Sequence, residues 1–322
     1  MARRPPGPCT YAAPVNTPAP ASAADFEEHR GRMFGIAYRM LGSAHEAEDT
    51  VQDAYLRWSA ADRGDVEHPG AWLAKTVTRL CLTRLTSART RREEYVGPWL
   101  PEPVLTSDGT LGPLDSAERR DGVSMALLVL LERLTPVERA VYVLREAFAY
   151  GHREIAELLD LTEANSRQLY RRAARRVEEP RPRFRADPQR WRGLVETFMA
   201  AARDGDLARL ESLLSADARY VSDGGGVVNA ARRPVVGREK VARFVVGALA
   251  KYTAGLPVAH AEVNGMPALV FGDVAVLVVE FEDGPDGGDA LVGGMRAVVN
   301  PEKLEFVLRQ LSHSQGLPGP GW

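Results

Sequence analysis

The stretch GHREIAELLDLTEANSRQLYRRAARRV, residues 151–177, constrains the fold of this chain more tightly than any other segment. Its apolar spacing predicts a short helix from His152 to Leu159, a tight turn at Asp160-Leu161, and a second helix capped by Thr162. On that second helix the 3.6-residue period puts Ser166, Leu169, Tyr170, Ala173 and Val177 on one face. Arg167, Gln168, Arg171, Arg172 and Arg175 fall on the other. A third helix precedes these two. Thr135-Pro136 followed by Glu138 supplies its start, because cap, first-turn proline and returning carboxylate agree, and it runs to about Ala147. A basic helix held at an angle by a short predecessor can enter a DNA major groove and offer donors to guanine edges and phosphates; the same arginines also fit the solvated face of a helix in a bundle.

A second basic block lies upstream. The formal net charge of -2 over 322 residues hides it: residues 75 to 92 carry six basic side chains and no acid, and residues 162 to 185 carry eight arginines against three glutamates. Blocks of this kind suit a polyanion. The upstream block sits in a helix opened by Pro69, whose inner stripe is Trp72, Leu73, Thr76, Val77, Leu80 and Cys81, with Lys75, Arg79 and Arg84 pointing elsewhere. Aromatic, hydroxyl and basic groups together suit single-stranded or melted DNA; the same pattern equally fits a core Trp72 beside solvated arginines. Before it, Asp25 to Ala61 reads as two helices broken at Gly42-Ser43, where Ser43 and Glu46 form a capping-box signal. In the second of these, Ala47, Val51, Ala54, Tyr55 and Trp58 share one face. The opposite face, Asp49, Gln52, Asp53 and Leu56, is acidic with one apolar residue.

Residues 93 to 113, rich in Pro and Gly, interrupt the helices with GPWLPEP at 97–103. The prolines rule out a helix, yet Trp99 and Leu100 are side chains a solvated connector avoids. Burying each contributes on the order of 1.5 to 3 kcal/mol, so the segment is expected to dock, either on the neighbouring helices or on the unit that follows residue 188. A second Pro-rich connector covers 180–188, and beyond it valine and glycine replace arginine. Two helices, Trp191 to Ala202 and Asp206 to Leu214, meet at Asp204-Gly205. A strand near Ala218 to Ser222 and a helix from about Gly237 to Tyr252 follow. Apolar runs at 258–264, 267–271, 273–282 and 291–299 then read as an antiparallel meander. The fold class is multidomain: two all-α units, the second with a helix-turn-helix, followed by an α+β unit.

Only two cysteines occur, Cys9 and Cys81, so neither a disulfide framework nor a cysteine zinc site is expected, and a reducing cytoplasm fits. We find no signal peptide pattern and no run of about 18 apolar residues, hence no membrane partner. Phosphate-loop, nucleophile-elbow and Cys/His metal spacings are lacking, and no enzyme activity, cofactor or metal is expected. Within the α+β unit Asp223, at a strand end, is the best-placed general base, with His260 facing either way. An Asp before three glycines is also a turn residue, its side chain bonding the backbone while glycine takes positive φ.

Residues Asp25 to about Val177 resemble the extracytoplasmic-function sigma factors of bacterial RNA polymerase. AEDTVQDAYLRW looks like the family's polymerase-binding helix, HPGAWLAKTVTRLCLTRL like the helix that opens and reads the minus-10 element, and LTPVERAVYVLREAFAYGHREIAELLDLTEANSRQLYRRA like the minus-35 domain. The resemblance implies that Asp49, Gln52, Asp53 and Leu56 face the clamp helices of the largest polymerase subunit, and that the second helical domain meets the flap. It implies DNA contacts by Trp72, Lys75, Arg79 and Arg84 and by Arg167, Gln168, Arg171, Arg172 and Arg175. Thr83 and Thr86 stand where Asp and Arg are common, and Ser166 where valine is frequent.

Three signatures narrow the resemblance to the subgroup with a fused SnoaL-like, cone-shaped domain: WLPEP (Trp99, Leu100, Pro101, Glu102, Pro103), DGGG (Asp223, Gly224, Gly225, Gly226) and NPEKL (Asn300, Pro301, Glu302, Lys303, Leu304). Val227 follows the glycines where a basic residue is frequent. The implied organisation is a disordered tail at 1–24, a polymerase and minus-10 domain at 25–95, a linker at 96–113, a minus-35 domain at 114–179, a linker at 180–188, a SnoaL-like regulatory domain at 189–312 and a tail at 313–322. The expected function is promoter-directed initiation by core polymerase, regulated in cis, with the three signatures in contact and room for a small ligand in the cone. The alternative is a one-component DNA-binding regulator with a small-molecule-binding or isomerase-like C-terminal domain.

Overall fold

The computed structural model describes residues 23–61, 66–106, 110–111, 122–177, 188–284 and 288–313. Residues 1–22 and 314–322 of the tails, the restart of helix at about Leu114 and nearly all of the 180–188 connector fall outside them, while Ala23 and Ala24 belong to the first helix and His313 to the last. Helices α1 (Ala23–Leu41), α2 (Ala44–Ala60) and α3 (Pro69–Glu93) form the first unit. Ser43 starts α2 as the sequence predicts, its hydroxyl accepting from Glu46 N at 3.1 Å. Pro69 opens α3 at a position whose N–H would have no helical partner.

Helices α4 (Met125–Leu131), α5 (Pro136–Phe148), α6 (His152–Leu159) and α7 (Glu163–Val177) form the second unit. Thr135 and Glu138 cap α5 reciprocally: Glu138 N donates to Thr135 Oγ1 and Thr135 N to Glu138 Oε2. Asp160 ends α6 with φ 55, and Thr162 starts α7 by accepting from Asn165 N at 3.2 Å. Both units share one continuous core that includes Tyr38, Met40, Leu73, Val77, Val141, Leu144, Ile155 and Leu169. They are therefore packed together, not strung on a connector.

The third unit runs α8 (Pro188–Asp204), α9 (Leu207–Leu213), β1 (Leu214–Asp223), β2 (Val235–Val236), α10 (Arg238–Tyr252), β3 (Val258–Val263), β4 (Met266–Phe271), β5 (Ala275–Glu282), β6 (Leu291–Val298) and α11 (Pro301–His313). Strands β3 to β6 make the antiparallel meander, and β1 joins it parallel to β6, so the sheet is mixed with order β2-β1-β6-β5-β4-β3. One face, with Leu269, Phe271, Leu277, Val279 and Met295, shares a core with residues of α8, α9 and α10. The other face, with Val263, Val270, Val276, Val278 and Val298, packs on Leu100, Leu105, Met125 and Leu304. Alternating side chains apolar on both faces require cover on both sides. Here the second cover comes from the connector, α4 and α11.

Candidate functional site

In the connector, residues 100–106 are all buried. A buried connector must satisfy its amides as completely as a strand does. Pro101 and Pro103 bring none. Leu100 N donates to Asp223 Oδ2 at 2.7 Å and Glu102 N to the Gly42 carbonyl at 3.0 Å. Val104 N reaches Asn264 Oδ1 at 3.1 Å, Leu105 N reaches Gln310 Oε1 at 2.9 Å, and Thr106 N reaches the Glu262 carbonyl at 2.9 Å. Every N–H from 100 to 106 therefore has a partner, and the partners come from both sides of the connector.

Asp223 is the hub on the sheet side, and it is fully buried. Its Oδ1 accepts from Tyr95 Oη at 2.6 Å and Gly225 N at 3.1 Å, and its Oδ2 accepts from Leu100 N and from Lys303 Nζ at 2.7 Å. Lys303 Nζ also donates to the Leu100 carbonyl at 2.6 Å. Burial draws the Lys303 pKa below the usual lysine value against the opposing pull of Asp223, and burial together with the Asp223 bond pushes the Tyr95 phenol up. Asn300 holds Tyr95 Oη at 3.0 Å through Nδ2 and caps α11 by accepting from Glu302 N at 3.2 Å. Gly225 and Gly226, at φ 61 and 75, let the chain turn beneath Asn300 and against Val96. The side chain of Leu304 completes the packing, while Pro301 is exposed at the start of α11.

Trp99 and Glu102 face the helical side. The Trp99 ring lies between the Arg92 guanidinium at 4.0 Å and the Lys303 ammonium at 4.4 Å, and it covers Gly42. Glu102 caps α2, accepting from Ser43 Oγ at 2.7 Å, Ala44 N at 2.8 Å and His45 N at 3.1 Å. The pentapeptide thus divides its side chains: Leu100 enters the sheet's core, while Trp99 and Glu102 close the α1–α2 corner.

Asn264 was invisible to sequence reasoning as a site. At φ 54 it turns the β3–β4 hairpin, and beyond its bonds to Val104 its Nδ2 donates to Tyr38 Oη at 2.6 Å and to the Val123 carbonyl at 2.9 Å. One buried side chain joins the connector, α1 and the residues before α4. The Asn-Gly hairpin signal at 264–265 marks the turn but none of these contacts.

Of the two readings of Asp223, the turn is the one its bond to the Gly225 amide fits. Asp223 shares a face with Val221, on the outer side of the sheet, whereas His260 pairs with Leu269 and faces α8, where burial lowers its pKa beside Glu196, Arg192 and Arg203. The two groups lie on opposite faces of the sheet and cannot act as an acid–base pair.

On α7, Arg167, Gln168, Arg171, Arg172 and Arg175 are exposed, with Arg172 3.3 Å from Glu138 and Arg167 bonded to Glu163. Ser166 is buried, and its hydroxyl meets His152 Nδ1 at 3.2 Å. Trp72 is half-buried with its ring 5.6 Å from that of Trp58. Lys75 Nζ donates to the Glu157 carbonyl at 2.9 Å and lies 3.5 Å from Asp160, which also binds Arg79. The HTH turn therefore sits on the basic face of α3. Arg84 bonds Asp53 at 2.6 Å and lies 3.9 Å from Asp49, while Gln52 and Leu56 remain open to solvent. No helix among the described residues is long and apolar enough to cross a membrane.

A basic helix in a helix-turn-helix, a second basic helix and an acidic face on α2 make the layout of a transcription initiation factor. Sigma-70 region 2 matches residues 26–91 and Sigma-70 region 4 matches residues 124–177. ECF RNA polymerase sigma factor SigJ of Mycobacterium tuberculosis (strain ATCC 25618 / H37Rv) is 40% identical over 233 residues, 72% of this chain and 74% of the relative. Probable ECF RNA polymerase sigma factor SigI of Mycobacterium tuberculosis (strain CDC 1551 / Oshkosh) is 36% identical over 197 residues, 61% of this chain and 67% of the relative. The crystal structure of the Mycobacterium tuberculosis SigJ superposes with a TM-score of 0.68 at 33% identity, covering 88% of this chain and 98% of that one. This chain belongs to the ECF RNA polymerase sigma factors, with a C-terminal domain of the SnoaL-like fold. Core RNA polymerase and promoter DNA are the partners that this family implies.

Proposed function

We propose that this sigma factor is restrained in cis, its C-terminal domain holding the two DNA-binding units in a closed arrangement that promoter engagement must open. The observation that carries this reading is the burial of residues 100–106 between the helices and the sheet, with all amides satisfied. The contact of Asp160 with Lys75 and Arg79 supports it. Minus-10 and minus-35 elements are separated by about 25 base pairs, roughly 85 Å of duplex at 3.4 Å per step, whereas in the closed form α6 and the HTH turn rest directly on α3. Both cannot be used at once.

In this reading Trp72, Lys75, Arg79 and Arg84 meet melted minus-10 DNA, and Arg167, Gln168, Arg171, Arg172 and Arg175 meet the minus-35 duplex. Asp49, Gln52, Asp53 and Leu56 meet the clamp helices of the largest polymerase subunit, with the flap engaging the second unit, and the chain acts in the cytoplasm. The Arg84 bond to Asp53 then yields when polymerase and DNA each claim one partner. An apolar cavity of about 390 Å³ bounded by Met199, Arg203, Leu249, Leu256, Val258 and Phe271 has the size of a small-effector site.

The test is transcription with purified core polymerase by full-length protein and by a chain ending near Arg185. A promoter-dependent transcript that increases on truncation supports the restraint. Equal output from both chains would refute it, and no transcript from either would sink the promoter assignment. Asp49→Arg with Asp53→Arg should abolish co-purification with core polymerase.

A further inference from the structure

The C-terminal unit carries a basic edge that neither the clasp nor the cone uses. Residues 218–243 hold six bases, Arg219, Arg232, Arg233, Arg238, Lys240 and Arg243, against two acids. One of those acids, Asp223, is buried in the clasp, and the other, Glu239, is bound by Arg243. All six bases are exposed, and Arg219, Arg232, Arg233, Arg238 and Lys240 form no ion pair among the described residues.

The fold lines several of them up. The chain from 231 to 237 runs beside β1: Ala231 N donates to Ser222 Oγ at 2.8 Å, Val235 and Val236 pair with Tyr220 and Arg219, and Gly237 N reaches the Ala218 carbonyl at 2.9 Å. β2 is the outermost strand, and Arg232 and Arg233 precede it while Arg238 opens α10 after it, so the three flank an open sheet edge. From Ala231 beside Ser222 to Gly237 beside Ala218 the segment follows four residue steps of β1, about 13 Å, the length of about four base pairs of duplex. The strip also comes close to the chain that leaves α3. A Cβ on Gly97 would lie 3.9 Å from the Arg232 Cα, and Gly97 follows the last residue of α3, Glu93, by only four positions.

We infer that this edge is a third DNA-contacting surface, a strip of cations in the C-terminal unit that follows duplex phosphates beside the DNA held by α3. The inference rests on the sigma-factor reading of α3 for the placement of the DNA, but not for the strip's own chemistry. Exposed guanidinium groups that form no ion pair among the described residues bind a polyanion without reading its sequence. The C-terminal domain then adds affinity for promoter DNA as well as restraint.

The probe is a duplex of random sequence, titrated with salt against full-length protein by fluorescence anisotropy. Removing three phosphate contacts in Arg232→Ala/Arg233→Ala/Arg238→Ala should reduce the slope of log K against log salt by about 3, from roughly 0.9 per contact. The reversed pair Arg232→Glu/Arg233→Glu should bind more weakly still at low salt. An unchanged slope in the folded triple variant would overturn the proposal. So would an unchanged slope accompanied by loss of core-polymerase association, which would assign the edge to a protein partner, or by self-association in light scattering, which would make the arginines guards of an exposed strand. Core association of the wild-type chain is read separately. Its failure sinks the sigma reading, while the slope alone decides the strip.

Discussion

Lys303 Nζ lies 2.7 Å from Asp223 Oδ2 with both side chains withdrawn from solvent, and the same ammonium holds the Leu100 carbonyl. Three distant segments therefore depend on one charge pair. Removing one partner leaves the other buried and uncompensated, which costs about 3 to 5 kcal/mol. Lys303→Met should lose that much stability in urea denaturation and enlarge the radius of gyration. Adding Asp223→Asn to it should recover part of the loss, because the orphaned charge is then gone. A double variant no more stable than Lys303→Met would mean that the pair does not govern the clasp.

Asp160 should act as an electrostatic latch. It is exposed, its pKa is lowered chiefly by its bonds to Arg79 and Lys75 working against desolvation, and it closes the HTH turn onto α3. Asp160→Asn keeps a residue suited to its left-handed backbone while removing the charge. Affinity for a single-stranded oligonucleotide should rise several-fold at low salt, and the gain should shrink as salt screens the wild-type contact. Identical affinities for the two proteins at low salt would leave Asp160 without this role.

Much of the local design was legible in the sequence. The Ser43 and Thr135/Glu138 caps, the two faces of α7 and the meander follow from spacing and turn chemistry, which act over a few residues. What resisted reading acts at long range. The Arg79 bond to Asp160 spans 81 positions and the Asn264 bond to Tyr38 spans 226, and no periodicity encodes either. The sequence marked Trp99 and Leu100 as residues that must be buried but could not say that they part company, one toward each neighbour. Asp223 looked like a turn residue or a base. It does bond the Gly225 amide as a turn residue should, and the lysine that fixes its larger role lies 80 positions away.

Asn264 offers a cleaner test of long-range wiring. Asn264→Gly keeps the positive φ at no steric cost and deletes only the side-chain bonds to Val104 N, Tyr38 Oη and the Val123 carbonyl. Leaving buried groups unsatisfied costs about 2 to 5 kcal/mol in total. Asn264→Ala should cost about 1 kcal/mol more, from the left-handed backbone. Chemical denaturation checks both, and a loss below about 1 kcal/mol in the glycine variant would remove Asn264 from the junction.

Glu138 predicts an acid limb to the stability curve. Burial opposes its ionisation, but bonds from Thr135 and the charges of Arg176 and Arg172 more than compensate, holding its pKa below the usual 4.5. A carboxylate depressed in the folded state binds protons more readily when unfolded. Its stabilisation is therefore full above about pH 4.5 and is lost as pH falls through the lower folded value. Glu138→Gln, which keeps an acceptor for Thr135 N but not the charge, should be about 1 kcal/mol less stable at pH 7. Its melting temperature should also fall less steeply than that of the wild type below pH 4.5. Parallel acid limbs in the two proteins would contradict the assignment.

Gly42 and Trp99 should be coupled. At φ 67 Gly42 already disfavours a side chain, and a Cβ there would sit 2.6 Å from Trp99 Cη2. Gly42→Ala thus carries two costs, about 1 kcal/mol or more for the backbone and a further one for displacing the ring. Trp99→Ala alone should lose about 2 to 4 kcal/mol, since a largely enclosed ring between Arg92 and Lys303 disappears. In the double variant only the backbone cost of Gly42→Ala persists, so the two losses should fall short of additive by the clash term. A double-mutant cycle in urea measures that shortfall directly. Strict additivity would mean that the ring does not cover residue 42 in solution, and the clasp would then have to be held by Leu100, Glu102 and Lys303 without it.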